Sequence, residues 1–130
     1  SLSIGNPHCV VFVDDLAGID PHKLGPTVER HPAFPAKTNV QFVEVLSRGH
    51  VAIEIWERGA GYTLASGTSS CAAAAACHRK GRVDRDVTVT MPGGDLEITV
   101  GEAYAMRLRG PVEEVMVGDF SADLLRHLAG

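Results

Sequence analysis

Glu57-Arg58-Gly59-Ala60-Gly61 sets a carboxylate beside a guanidinium just ahead of a glycine turn. Shortly after it, Ala65-Ser66-Gly67-Thr68-Ser69-Ser70-Cys71 runs into five consecutive alanines, Ala72 to Ala76. A small-residue loop that opens a buried helix presents unpaired backbone N–H groups and the positive end of the helix dipole. Such a place receives a carboxylate or a phosphate. Gly67, Thr68 and Ser69 would supply the N–H groups, and self-capping by serine or threonine is the other way to satisfy them. Ser66 stands at the mouth, where a nucleophile or base would be sought; a turn or cap serine is the plainer reading. Arg58 would clamp a carboxylate bidentately, and Glu57 would accept from an ammonium group or orient a base. An ion pair on the surface at a strand end is the alternative for both.

His8 follows Asn6-Pro7 and reads either as a core histidine bonded to backbone or as a group that tunes protonation at a reacting centre. Asn6 and Asn39 are turn formers by position. His22, His31, His50, His78 and His127 show no metal-ligand spacing, so no metal is expected. The three cysteines, Cys9, Cys71 and Cys77, are odd in number and unpaired by spacing, as in a reduced cytoplasmic protein. Net charge is −4 with both signs scattered, which argues against nucleic acid as a partner. The longest small-apolar run, Cys71 to Cys77, is too short to span a membrane. The opening at Ser1, a few residues before a motif, reads as a fragment boundary, and no signal peptide is expected.

The elements that must position these residues follow from periodicity and punctuation. The 130 residues, 45% of them apolar, form one domain, 1–130. His8 to Val13 reads as a buried strand ended by Asp14-Asp15. Asp20 caps a helix with Pro21 at its first position, and Pro26 restarts or kinks it before Arg30. Val40 to Leu46 and Val51 to Trp56 alternate as strands around a turn at Ser47-Arg48-Gly49-His50. Gly67 to Lys80 is the long helix, capped by Thr68, Ser69 or Ser70 and closed by Gly81. It has no polar face in its middle, which predicts protein on every side. Val87 to Met91 and Leu96 to Val100 form a second hairpin. Tyr104 to Arg109 and Val112 to Val117 are expected as further strands, and Ser121 caps a short tail helix over 121–130. About seven strands and one apolar helix imply an α+β fold: a curved, barrel-like, mostly antiparallel sheet wrapped around one buried central helix.

Four segments together resemble the C-terminal half of a diaminopimelate epimerase. They are Gly5-Asn6-Pro7-His8, His31-Pro32-Ala33-Phe34-Pro35 with Thr38-Asn39-Val40-Gln41-Phe42-Val43, Glu57-Arg58-Gly59-Ala60-Gly61, and Gly67-Thr68. The resemblance implies the same wrapped-helix fold and a racemase that needs no cofactor, interconverting LL- and meso-2,6-diaminopimelate for lysine and peptidoglycan synthesis. It implies catalytic roles at position 66 and for Glu57 and His8. It implies substrate contacts from Asn6, Asn39, Glu57, Arg58, Gly67 and Thr68. Two opposed groups best exchange an α-proton, and a thiol at a helix N-terminus suits both roles. Here the chain departs: Ser66 occupies the position of the catalytic cysteine, Tyr62 stands where glutamate is frequent, and only one of two similar halves is represented. The isolated half is therefore expected to be inactive alone and to need its missing N-terminal half or a homo-oligomer. Two alternatives remain at this point: a phenazine-biosynthesis-type isomerase of the same fold, and a non-catalytic amino-acid-binding or self-assembling module.

Overall fold

A computed structural model describes residues 1–128. Its centre is one mixed sheet of eight strands: β1 (Leu2–Ser3), β2 (Pro7–Phe12), β3 (Asn39–Ser47), β4 (His50–Glu57), β5 (Gly61–Thr63), β6 (Asp86–Met91), β7 (Gly94–Val100) and β8 (Met106–Arg109). The order is β1-β2-β3-β4-β6-β7-β8, with β5 beside the far end of β4. Only the β2–β3 and β4–β6 pairs are parallel, so the sheet is mostly antiparallel, as expected. Helices are α1 (Pro21–Glu29), α2 (Gly67–Arg79) and α3 (Ala122–Leu128).

The sheet wraps α2. This helix packs against β1, β2, β3, β4, β6, β7 and β8. Ala72, Ala73, Ala74 and Cys77 are fully buried, because alanine methyls let strand backbones come close. Inward rows of Val43, Val51, Ile53, Ile55, Val89, Ile98 and Val100 complete the core. The other face of β3 and β4 is covered by α1. Gly25 makes that contact possible, since a Cβ there would lie 2.4 Å from the Trp56 ring.

The cap of α2 is Ser66, ahead of the three residues expected, and it keeps extended backbone at φ −156°. Lys80 is the C-cap and Gly81 the next residue, at φ +67°. Its N–H bonds His78 O while Arg82 N–H bonds Cys77 O, the double closure that a glycine at that position allows. Asp20 caps α1 as expected, accepting from His22 and Lys23 N–H, but the helix runs through Pro26 to Glu29 without restarting. Pro26 has no N–H, so the His22 carbonyl one turn back is left without its helical donor. Protein does not enclose α2 on every side: between edge strands β1 and β8 a groove of about 1120 Å³, lined by Leu2, Phe12, Ala75, Ala76 and Met106 among others, reaches the helix.

The strand expected from Tyr104 starts at Met106, because Ala103 and Tyr104 take positive φ in a short 3-10 turn. No strand forms over Val112–Val117. That segment is exposed throughout, with Val112 at 99% and Val115 at 90%. Its alternation is strand-like, but among the described residues no neighbouring strand offers backbone groups to pair with. Ser121 caps α3 as expected, and residues 129–130 lie outside the described residues.

Candidate functional site

Strand register decides which polar residues meet. In β2, His8, Val10 and Phe12 share the inward side; in β3 it is Asn39, Gln41, Val43 and Val45. His8 pairs with Asn39, and Val10 with Gln41. Gln41 also pairs with Ile55 on β4, so the next inward position of β4, Glu57, comes abreast of Asn39. The apolar core therefore ends, at this edge, in a polar row: His8, Asn39 and Glu57, with Gln41 directly beneath.

Each member is held. Gly5, at φ +102°, turns the chain between β1 and β2. Asn6 then reaches over His8, with His8 Nε2 3.0 Å from Asn6 Oδ1. The His8 side chain has no exposed surface. Burial pushes its pKa down; the neighbouring Gln41 carboxamide and the Glu57 carboxylate act in the opposite direction. Asn39 Nδ2 donates to Pro7 O at 3.0 Å, and Asn39 Oδ1 accepts from Arg58 N–H at 2.9 Å. The expected substrate ligand Asn39 is thus also the brace between the start of β2 and the turn after β4. Arg58 is exposed, with Nη1 donating to Ala36 O at 3.0 Å.

The N-terminus of α2 approaches this row through Gln41, whose Nε2 donates to Ser69 Oγ at 3.0 Å. Ser66 Oγ accepts from Ser69 N–H at 3.4 Å and lies 3.4 Å from Thr68 Oγ1. Among the described residues, Gly67 and Thr68 N–H meet no acceptor, as first-turn donors do when nothing caps them. The expected site residues Asn6, His8, Asn39, Glu57 and Arg58 thus gather around one end of the sheet, and the Ser66–Thr68 turn joins them by way of Ser69.

Two further residues belong to the same framework: Glu29, outside the matched segments, and Gln41, inside the Thr38 to Val43 segment but given no role there. Glu29, at the end of α1 and 4% exposed, accepts from Trp56 Nε1 at 2.8 Å and from Gly59 N–H at 3.3 Å. It fixes the turn that carries Glu57 and Arg58. The Trp56 bond, above all, holds its carboxyl below the usual glutamate range. Gln41 is the other. Gln41 stands in the matched segment Thr38 to Val43, and its hydrophobic neighbours in β3 hint that its burial needs an explanation.

Tyr62 faces away from the polar row. It pairs with Trp56, donates to Glu54 Oε2 at 2.7 Å, and stacks on His22 with ring centroids 4.6 Å apart. The cysteines offer no substitute for a reactive thiol. Burial raises the pKa of Cys9 and Cys71, and that of Cys77 to about 11.

Residues 1–120 match the family model for diaminopimelate epimerase. The chain belongs to the diaminopimelate epimerase family. It is 47% identical over 125 residues to a diaminopimelate epimerase of Desulfitobacterium hafniense, covering 96% of this chain and 44% of that enzyme. It is 49% identical over 119 residues to one from Magnetococcus marinus, covering 92% and 43%. The chain thus spans less than half the length of the curated relatives it matches. Among solved structures, a phenazine biosynthesis PhzF-family protein of Enterococcus faecalis superposes with a TM-score of 0.57 at 16% identity, over 75% of this chain and 35% of that one. A Bacillus anthracis protein of the same family gives 0.56 at 17%, over 81% and 34%. At such identities the likeness is one of fold.

Proposed function

We propose that this chain is the C-terminal half of a two-half amino-acid epimerase and supplies one wall of its active site. The substrate is 2,6-diaminopimelate, interconverted between its LL and meso forms without a cofactor. The observation that carries this reading is the convergence of Asn6, His8, Asn39, Glu57 and Arg58 at the α2 N-terminus in a chain of this family.

The chemistry divides as follows. The free Gly67 and Thr68 N–H groups and the α2 dipole bind the substrate α-carboxylate. They also stabilise the carbanion that forms when the α-proton leaves. Glu57 and Arg58 fix the ammonium and carboxylate ends, and Asn6 and Asn39 bound the side-chain pocket. The base on this face is residue 66. A serine hydroxyl is a far weaker acid than a thiol, so the Ser66 form binds substrate without exchanging its proton efficiently. The second acid/base comes from the missing half. No described helix is long and apolar enough to cross a membrane, and we place the enzyme in the cytoplasm.

The phenazine alternative rests on fold alone, whereas the diaminopimelate epimerase match runs through the motifs. The test is to incubate this chain with diaminopimelate in deuterated water, alone and with the N-terminal half of the Desulfitobacterium relative. Binding without deuterium uptake by the chain alone is expected. Turnover by the chain alone, or no binding in either mixture, overturns the reading.

A further inference from the structure

We propose that Gln41 is a positioning residue. Its carboxamide donates through Nε2 to His8 Nδ1 and accepts through Oε1 from the Ser69 hydroxyl. It thereby holds the His8 ring neutral, with its one proton on Nε2. Its bearing on catalysis rests on the epimerase reading; the hydrogen bonding itself does not.

Two buried side-chain atoms lack a partner among the described residues, and they belong to neighbouring inward positions: His8 Nδ1 and Gln41 Oε1. Nearly all buried polar groups are paired, so two orphans side by side call for a common cause. The ring supplies it. Asn6 Oδ1 only accepts, so the 3.0 Å contact with His8 Nε2 requires the proton on Nε2. A neutral ring then has a bare lone pair on Nδ1. As oriented, Gln41 gives Nε2 to Ser69 and turns Oε1 to the ring, an arrangement that favours a proton on Nδ1 and raises the His8 pKa, whereas a donor at the same place would lower it. With Nδ1 bare, lone pair faces lone pair.

The oxygen and nitrogen of a carboxamide have nearly the same shape, so a half-turn exchanges them without steric cost. After the turn, Nε2 meets His8 Nδ1 and Oε1 meets Ser69 Oγ. Ser69 decides between this arrangement and its rival, in which Asn6 turns instead and Nδ1 carries the proton. With Gln41 as oriented, the Ser69 hydroxyl accepts but has no acceptor of its own among the described residues. With Gln41 turned, that hydroxyl donates to Oε1, and all three groups are satisfied. Burial of the ring works in the same direction, because it disfavours the imidazolium that would suit two acceptors.

The consequence separates two roles. A ring locked at Nδ1 is a fixed donor that steadies Asn6 at the mouth of the site. Proton transfer then falls to residue 66 and its counterpart on the missing half, while the first turn of α2 and strand β2 move as one unit through Ser69, Gln41 and His8.

The test is long-range nitrogen–carbon NMR of the histidine rings of this chain, with His8 assigned by its loss in His8→Phe. The expected wild-type pattern is a pyridine-like Nδ1 and a pyrrole-like Nε2, unchanged across the range near neutrality where a free imidazole changes charge. Gln41→Glu removes the donor and adds an anion, so the His8 midpoint rises by about one unit, a tenfold change in proton affinity. Gln41→Met leaves Nδ1 without a donor and gives a mixture of tautomers. A pyrrole-like Nδ1 in the wild type overturns the proposal, as does a Gln41→Glu ring that titrates like the wild type. If neither variant folds, the wild-type pattern alone decides. Inactivity of the chain reconstituted with a missing half would sink the epimerase reading and leave the ring pattern standing.

Discussion

Asn39 ties Pro7 to Arg58: one end of its carboxamide donates to the Pro7 carbonyl and the other accepts the Arg58 N–H. These two bonds hold the start of β2 in register with the turn after β4. A residue matched to a substrate contact is therefore a structural brace first. Asn39→Ala leaves a carbonyl and an N–H without partners at a partly buried position. The expected cost is about 1–3 kcal/mol. Urea denaturation at neutral pH measures it, and a change within a few tenths of wild type would show that solvent replaces both bonds.

Glu29 makes the site sensitive to acid. Its carboxylate accepts from Trp56 and Gly59, and its folded pKa lies below the unfolded value. The sign follows. The carboxylate contributes stability above the unfolded glutamate pKa, and that contribution is lost as pH falls through the lower folded value. Glu29→Gln removes this contribution, so its stability should fall less steeply than that of the wild type on the acid side. Denaturation curves at several pH values down to the acid limb read the two slopes directly. Parallel slopes would mean that Glu29 is not the group that titrates.

Much of this framework is legible in the chain, for reasons that differ by element. The unbroken small-apolar run makes α2 evident, and the alternation at Val51, Ile53 and Ile55 sets the inward face of β4. The site is harder. His8, Asn39 and Glu57 lie on three strands and meet only because of pairing register, which periodicity does not reveal; a family motif was needed to group them. Glu29 carries no signal, since what distinguishes it is burial, and Gln41 stands in a matched segment that says nothing of its hydrogen bonds. Val112–Val117 errs the other way. Its pattern is that of a strand, but a strand is a relation between two segments, and the second segment is not among the described residues.

That unpaired segment should show itself in association. Val112, Val115, Met116, Val117 and Phe120 are all more than two-thirds exposed. Exposed apolar surface of this extent marks a contact with another body. Sedimentation of the chain at high micromolar concentration should show dimers or larger species, and a version ending at Gly110 should be more nearly monomeric. A monomeric 130-residue chain would mean that the segment folds back on its own body.

The site itself is tested at position 66. Ser66 Oγ caps α2 by accepting the Ser69 N–H, and the Gly67 and Thr68 N–H groups are free beside it. In Ser66→Cys the new sulfur meets the same donors and the positive end of the same dipole. Both favour a thiolate, which lowers the pKa of a cysteine at a helix N-terminus. The native cysteines are displaced in the opposite direction, Cys77 to about 11. Iodoacetamide near neutral pH should therefore alkylate the introduced thiol of Ser66→Cys well before Cys9, Cys71 or Cys77, as peptide mapping over time would resolve. The weaker thiol cap should cost about 0.5–2 kcal/mol, small enough to leave the domain folded. Joined to an N-terminal half, the cysteine form should epimerise diaminopimelate, because each face of the α-carbon then meets a thiol. The serine form joined to the same half should bind and barely turn over: the proton leaves on one side and is poorly returned from the other. Equal alkylation of all four cysteines would break the helix-terminus argument. Full activity of the joined serine form would show that residue 66 is not an acid/base of the reaction.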